Sequence, residues 1–401
     1  MLIHSSKIFF RNVMRDGYLE IENGKFINFY DTSEGHRKAD IEYGDLIVMP
    51  GIFDTHNHGG FGVRLDNATQ EEIKLYLKGL ASVGVTQVFA TTCELDAMRN
   101  VCTAMKNNYE GARIMGIHSE GPWGARVGEK GINTGYPSVD LNLAKEMLDT
   151  CDGNLKLVDI APEIPLAKEV IQYFVKNGVN VGMYHTNANY EQANKGVDWG
   201  VSVATHLSNV MTGLHHRDVG TLGCGLLRDE VDCELICDGL HVSLPMIKII
   251  LKVKDLNHIM MVSDNVQYCG APRGRYKGFN AAPNSDRALI NVTEEGFVLS
   301  DTGRLSGSSK PVIYGINNLV NKLNMPLETV IPLFSFNPNR KYGYDNKLGL
   351  IDYGYTADFI VVDQSFNVQA TFVGGKKVFD KDIDEIVFNQ SYLDKYYLGN
   401  D

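Results

Sequence analysis

The sequence lacks the features of a membrane, secreted or nucleic-acid-binding protein. It has no apolar run near the roughly 18 residues that a membrane span needs, and its first residues lack the hydrophobic core and cleavage site of a secretory signal. The 38 Lys and Arg are outnumbered by 49 Asp and Glu, and no basic stripe follows a phosphate backbone. We therefore expect a cytoplasmic protein whose partner is neither a membrane nor a nucleic acid. An anionic small-molecule substrate is compatible with this excess of acidic residues, because a few basic side chains near the site decide whether it binds.

Cysteine motifs are also missing. The seven cysteines are odd in number and scattered, and the closest pair, Cys233 and Cys237, does not have CxxC spacing. We interpret these thiols as reduced and buried, which agrees with a cytosolic protein. With 44% hydrophobic and 22% charged residues over 401 positions, the chain has a globular composition. A chain this long accommodates one barrel of about 250 residues and a smaller companion domain.

Short apolar runs alternate with helical patterns through the middle of the chain. The eight runs are 51–54, 85–91, 113–118, 156–161, 180–185, 202–206, 234–237 and 258–263. Helical periodicity, as in 70–82 and 165–176, separates them. Eight strands alternating with helices is the count of a closed parallel barrel. We therefore predict an α/β fold whose main domain, residues 51–346, is a (β/α)8 TIM-like barrel.

Strand-like patterns occur at both ends of the chain. The predicted strands there are 7–10, 18–21, 26–29, 358–363 and 369–378. Beta structure at both termini predicts a small β-sandwich domain formed by residues 1–50 and 347–401. The segment 267–306, rich in Gly, Asn and Pro, is predicted as a long loop over the barrel mouth with a hairpin at 288–299.

Polar side chains end several predicted strands, on the face where barrel enzymes place their chemistry. They are His56, His58, Glu120, His185, His206, His241 and Asp264. All but Asp264 are of types typical of zinc sites, and Asp264 can act as ligand or base. His56 and His58, at i and i+2 of an extended segment, aim both rings to one side. Any one of them alone is explained as a loop or capping residue, but their common face predicts a metal site.

The motifs around these residues resemble the N-acetylglucosamine-6-phosphate deacetylase family of the amidohydrolase superfamily. Matching segments run nearly the whole chain in the family's order: 50–58, 118–123, 161–163, 185–188, 204–211, 214–217, 238–242, 263–264, 303–308 and 349–358. Most of these motifs specify only the superfamily. The Glu120-Gly121-Pro122-Trp123 segment and the stretch from Asn209 to Arg217 point to the deacetylase branch.

The resemblance implies a divalent metal held mainly by Glu120, His185 and His206. His56 and His58 are also present, so a second ion bridged through Glu120 is an open alternative. Zinc suits a mixed set of histidine and carboxylate ligands, and Fe2+, Co2+ or Mn2+ also bind such a set.

The implied reaction is hydrolysis of the acetamide of an N-acetyl hexosamine 6-phosphate, above all N-acetylglucosamine 6-phosphate, to acetate and the amino sugar phosphate. Asp264 would serve as acid and base, and His241 would polarise the acetyl carbonyl. Asn209 and Arg217 would hold the sugar phosphate beside Val210. Arg217 is expected to reach the neighbouring subunit's site in a homodimer.

Two positions depart from the family pattern. Family members often carry a Lys-Gly-x-His segment with a substrate-contacting histidine, and the corresponding residue here is Asn133, whose amide cannot become cationic. Val210 replaces the usual alanine. The alternatives are a deacetylase for another N-acetyl hexosamine phosphate, such as the galactosamine isomer, a dihydroorotase-like cyclic amidohydrolase, or a catalytically silent barrel scaffold.

Overall fold

A computed structural model describes residues 1–128, 135–278, 285 and 287–400. The chain begins with five strands: β1 (Leu2–Phe10), β2 (Val13–Glu22), β3 (Lys25–Asp31), β4 (Ile41–Glu42) and β5 (Ile47–Pro50). β1, β2 and β3 form an antiparallel meander. The turn into β3 uses Asn23 and Gly24 in left-handed backbone, at φ of 51° and 75°.

The barrel strands follow, with two short strands beside the mouth. They are β6 (Ile52–Asn57), β7 (Gly59–Gly60), β8 (Val63–Arg64), β9 (Val85–Thr91), β10 (Arg113–Trp123), β11 (Leu155–Ile160), β12 (Asn180–Met183), β13 (Val201–Ala204), β14 (Asp232–Ile236) and β15 (Ile259–Val262). β6 and β9 to β15 form one eight-stranded parallel sheet in chain order. The sheet closes between β15 and β6, where the Asp264 N–H donates to the His56 carbonyl at 2.9 Å. The predicted barrel is confirmed.

Two barrel strands end earlier than predicted. β12 ends at Met183 and β13 at Ala204, whereas the apolar runs continue to His185 and His206. Both histidines have left-handed backbone, with φ of 40° and 34°. Apolar patterning does not reveal this change of backbone direction, which places the two rings at the barrel mouth.

Helices cover the outside of the barrel. They are α1 (Gln70–Ser82), α2 (Leu95–Asn107), α3 (Leu141–Cys151), α4 (Ala167–Lys176), α5 (Tyr190–Trp199), α6 (Gly220–Leu227) and α7 (Leu244–Val253). α1 begins at a capping box in which Thr69 and Glu72 each accept from the other's backbone N–H. Its buried face, including Ile73 and Leu80, packs into the main core. No helix in the described part of the chain has the length and apolar run for crossing a bilayer.

Three strands lie in the described parts of the predicted loop at 267–306. They are β16 (Gly274–Lys277), β17 (Leu289–Val292) and β18 (Val298–Ser300). The predicted hairpin is the antiparallel pair of β17 and β18. The sequence analysis missed β16, because its pairing with a strand at the far C-terminus is a long-range contact that local patterning does not show. We call these strands, with their C-terminal partner, the mouth sheet.

The chain then returns to the sheet that contains its first strands. Its last elements are α8 (Val312–Asn317), α9 (Leu327–Phe334), α10 (Phe336–Lys341), β19 (Phe359–Val362), β20 (Val368–Val373), β21 (Lys376–Asp380), α11 (Gln390–Tyr396) and β22 (Tyr397–Gly399). β19 pairs antiparallel with β5, so β1 to β5 and β19 to β21 form one eight-stranded sheet with its own apolar core. This confirms a β domain built from both ends, in which all eight strands belong to a single hydrogen-bonded sheet. β22 instead joins the mouth sheet, and the domain limits at residues 50 and 347 stay a prediction.

Candidate metal centre

Six of the predicted site residues lie together at the carboxyl ends of the barrel strands. His56 is in β6, Glu120 is in β10, and the others directly follow strands. Asp264, like His185 and His206, has left-handed backbone, with a φ of 51°. These turns direct side chains from separate strands toward the barrel axis.

Glu120, His185 and His206 form one candidate metal site. Oε1 of Glu120 lies 2.9 Å from Nε2 of His206 and 3.5 Å from Nε2 of His185. Ligand atoms bound at roughly 2.0–2.1 Å to one tetrahedral zinc lie about 3.3 Å apart. The observed spacing therefore fits a metal. Nε2 is the ring atom of His206 that faces Glu120, whereas Nδ1 is buried with no hydrogen-bond partner among the described residues.

His56, His58 and the same glutamate form a second candidate site. The Nε2 atoms of the two histidines are 3.3 Å apart, and Oε2 of Glu120 lies 3.2 Å from Nε2 of His58. Oδ1 of Asp264 lies 3.4 Å from that same nitrogen. Oε1 of Glu120 also lies 3.8 Å from Nε2 of His56, so the Glu120 carboxylate contacts both histidine pairs.

Buried charges in this cluster shift one another's pKa. Burial acts to raise the pKa of Glu120, but hydrogen bonds from His206 and His58 hold it well below its usual range. Burial acts to lower the pKa of His58, yet its hydrogen bonds to Asp264 and Glu120 raise it to about 9. For His185 burial dominates and lowers the pKa to about 4. A buried carboxylate that neighbouring histidines keep ionised is suited to bind a divalent cation.

A second layer of buried polar groups lies behind these ligands. Oε2 of Glu234 accepts from Nδ1 of His56 at 2.9 Å, and Oε1 of Glu234 accepts from the Thr55 hydroxyl at 3.1 Å. Behind His185, the Tyr136 hydroxyl lies 2.6 Å from Nδ1. Such contacts select the ring tautomer that presents Nε2 to a metal. The sequence analysis missed Glu234 and Tyr136, although an acidic residue inside the buried run 234–237 is a signal that could have revealed Glu234.

His241 is held by a neighbouring carboxylate. Oδ2 of Asp238 lies 2.6 Å from Nδ1 of His241, and Oδ1 accepts from the His241 backbone N–H at 2.8 Å. Burial acts to lower the pKa of His241, but Asp238 raises it above its ordinary value. The pair therefore favours the form of His241 in which both ring nitrogens carry protons.

The predicted substrate residues are spread more widely. Nδ2 of Asn209 donates to the His206 carbonyl at 3.1 Å, and the Val210 carbonyl accepts from the backbone N–H of Thr186 at 3.1 Å. Arg217 is exposed on the segment after β13. Asn133 lies outside the described residues. The contacts of these four residues with a substrate stay a prediction.

A cavity of about 280 Å3 opens onto the cluster. His58, Glu120, His185 and Asp264 line it, together with residues of the mouth sheet and its connections. The cavity is large enough for a monosaccharide-sized ligand beside the metal ligands.

Comparison with known proteins gives the same picture. The sequence profile of the Amidohydrolase family matches residues 47–378. The N-acetylglucosamine-6-phosphate deacetylase of Vibrio furnissii is 28% identical over 374 residues, which cover 91% of this chain and 92% of that protein.

Solved structures agree with this likeness. The structure of N-acetyl-D-glucosamine-6-phosphate deacetylase from Mycobacterium smegmatis is 25% identical, with a TM-score of 0.83 over 94% of this chain and 100% of that one. A mutant of that enzyme in complex with N-acetyl-D-glucosamine-6-phosphate is 26% identical, with a TM-score of 0.81 over 94% of this chain and 99% of that one. Because the profile spans well over half of the sequence, the chain belongs to the Amidohydrolase family.

Proposed function

We propose that this protein is a metal-dependent deacetylase that hydrolyses the acetamide of an N-acetyl hexosamine 6-phosphate, above all N-acetylglucosamine 6-phosphate. The observation that carries the proposal is that Glu120, His185 and Asp264 line one cavity, with His206 grouped beside Glu120 and His185. The deacetylases of Vibrio furnissii and Mycobacterium smegmatis, similar over nine-tenths of the chain, support the substrate class. Hydrolases of this family use a divalent metal, and zinc is the ion we assign.

The two ligand groups share Glu120 and would hold one or two divalent ions. Each group places its donor atoms within 4.8 Å of one another. A divalent ion there supplies Lewis-acid chemistry, which polarises an amide carbonyl and makes water nucleophilic near neutral pH. The protein holds these donor atoms close together, so that they could bind an ion without a change of conformation.

Asp264 moves the proton in this scheme. Burial acts to raise its pKa, but the charge of His56 and a hydrogen bond with His58 lower it to about 2. Asp264 is therefore a carboxylate at neutral pH and can accept a proton from the attacking water. As the water oxygen bonds to the acetyl carbon and the C–N bond breaks, Asp264 returns that proton to the departing amine nitrogen.

His241 stabilises the charge on the acetyl oxygen. With Nδ1 donating to Asp238, a protonated ring has its Nε2–H available for the oxyanion. Removal of this donor should lower kcat more than it raises KM.

Recognition of the phosphate is assigned to Asn209 and Arg217. Asn209 is partly buried beside Val210, whereas Arg217 is exposed on its own subunit. An exposed arginine can reach a neighbouring subunit, which supports a homodimer with Arg217 acting across the interface. We also propose a cytoplasmic location, because all seven cysteines are unpaired and six are buried.

Metal analysis combined with acetate release tests the function. The metal-loaded protein should release acetate from N-acetylglucosamine 6-phosphate, and chelation should abolish the reaction. A panel with the galactosamine and mannosamine isomers defines the preferred sugar. Absence of acetate from every sugar phosphate in the panel, with metal bound, would refute the proposal.

A further inference from the structure

We infer that Arg64 forms an anion-binding subsite inside each subunit's own cavity, where it binds a phosphate or carboxylate group of the substrate. This inference rests on the proposed function and adds a recognition element distinct from Arg217. Arg64 contributes to the same cavity wall as the candidate metal ligand His58.

The hairpin of β7 and β8 brings Arg64 to the metal centre. Arg64 pairs with Gly59 across this hairpin, and the next residue, Leu65, donates its N–H to the His58 carbonyl at 3.0 Å. Arg64 is therefore tied through the backbone to a residue whose ring faces Glu120. A shift of the hairpin would displace both side chains together.

The guanidinium of Arg64 is held in one orientation. Its Nε lies 2.7 Å from Oδ2 of Asp66, and the other oxygen of Asp66 accepts from the Thr92 hydroxyl at 2.8 Å. A guanidinium carries five N–H donors in one plane, so an anchor at Nε orients the whole fork. A pre-oriented fork suits the parallel oxygens of a phosphate or carboxylate.

Gln267 supplies an independent observation on the same wall. Its side chain is 3% exposed and lines the cavity, and its Oε1 has no hydrogen-bond partner among the described residues. The Gly62 N–H donates to the Gln267 carbonyl at 2.8 Å, which holds this residue against the hairpin. A buried acceptor without a partner costs stability unless a ligand supplies the donor. A sugar hydroxyl next to the anion would satisfy it.

The cavity is lined by Arg64, whose charge Asp66 partly offsets, and by a second arginine, Arg287. Its carboxylates, Glu120 and Asp264, are committed to the metal ions and to proton transfer. Arg64 and Arg287 are arginines in the cavity wall, whereas Arg217 is not among the described lining residues. The anion at Arg64 is either the 6-phosphate itself or a further acidic substituent of the sugar, and both would use the same fork.

Binding and turnover measured on three ligands show which group, the 6-phosphate or a further acidic substituent, Arg64 binds. The ligands are N-acetylglucosamine, its 6-phosphate, and the 6-phosphate with a lactyl carboxylate on O3. Kd is measured by calorimetry on the metal-loaded Asp264→Asn protein with and without Arg64→Gln, and KM is measured on Arg64→Gln alone. If Arg64 holds the 6-phosphate, Arg64→Gln weakens both phosphorylated ligands about 10- to 100-fold and leaves N-acetylglucosamine unchanged. If it holds the carboxylate, only the lactyl compound is weakened.

Arg99→Gln is the matched control, because Arg99 also pairs with an aspartate, Asp96, but on the exposed surface of α2. Arg64→Lys keeps the charge and should retain part of the affinity. Equal weakening of all three ligands, or no difference from Arg99→Gln, overturns the subsite. Failure of the metal-loaded wild-type protein to release acetate overturns the deacetylase function instead, and the Kd ratios then decide the subsite separately.

Discussion

Nδ1 of His56 lies 2.9 Å from Oε2 of Glu234, and both side chains are fully buried. The two residues are 178 positions apart in the sequence. The carboxylate fixes the proton on Nδ1, so Nε2 keeps its lone pair for a metal. The same carboxylate accepts from the His206 backbone N–H at 3.4 Å. Glu234 therefore contacts one residue from each of the two candidate metal groups.

Glu234→Gln should weaken metal binding at the His56 and His58 group. Glutamine keeps the shape but removes the charge that orients His56, and loss of such contacts typically lowers metal affinity about 10- to 100-fold. Metal content per chain, measured by mass spectrometry after dialysis, should fall while the Tm shows a folded protein. Glu169→Gln, an exposed residue of α4, is the control, and equal metal content in both variants would contradict the role.

Asp264→Asn should abolish most turnover while substrate binding is retained. The amide cannot accept the proton, so kcat should fall about 10^2- to 10^4-fold, while Kd for the sugar phosphate changes little. Asp229→Asn, at an exposed aspartate, should keep full activity. A kcat within a factor of a few of wild type would rule Asp264 out as the proton carrier.

Arg217→Ala should raise KM for the phosphorylated sugar far more than for its unphosphorylated analogue. If Arg217 acts across a dimer interface, mixing this variant with Asp264→Asn restores one complete site per mixed dimer. Random reassociation of equal amounts should then recover about a quarter of wild-type activity. No recovery after verified subunit exchange would place Arg217 in its own subunit's site, and equal KM effects on both sugars would remove it from phosphate binding.

Asp238→Asn should move the alkaline limb of the pH profile to lower pH. Asp238 raises the pKa of His241, so the doubly protonated ring persists to higher pH and is lost as pH rises through that pKa. Without the carboxylate, the loss should begin at lower pH. The profile of kcat against pH measures this shift, and an unchanged alkaline limb would show that another group controls it.

Much of the barrel could be predicted from local sequence. All eight apolar runs are barrel strands, and the helix at 70–82 has the predicted bounds. The errors occur at strand ends such as His185, where left-handed backbone interrupts a run without changing its apolar character. They also occur at β16, whose partner β22 lies more than a hundred residues away in the sequence.

The candidate site, like the fold, could be predicted from the sequence only in part. Glu120, His206 and Asp264 could be identified because their residue types follow apolar runs and match family motifs. Glu234 and Arg64 could not, since Glu234 is an acid inside a buried strand and Arg64 lies in a two-residue strand that no local pattern indicates. Only the closed barrel and its hairpin show that they face His56 and the cavity.

The sequence by itself determined the order of strands and helices and the residue types able to bind a metal, because periodicity and strand-end positions are local properties. The tertiary structure alone decided which side chains meet, such as the Glu120 carboxylate, which belongs to both histidine groups. The physical reason is that closure of the barrel, with its backbone turns at His185, His206 and Asp264, converts separate strand ends into one ring of side chains. No segment of the chain contains that ring on its own.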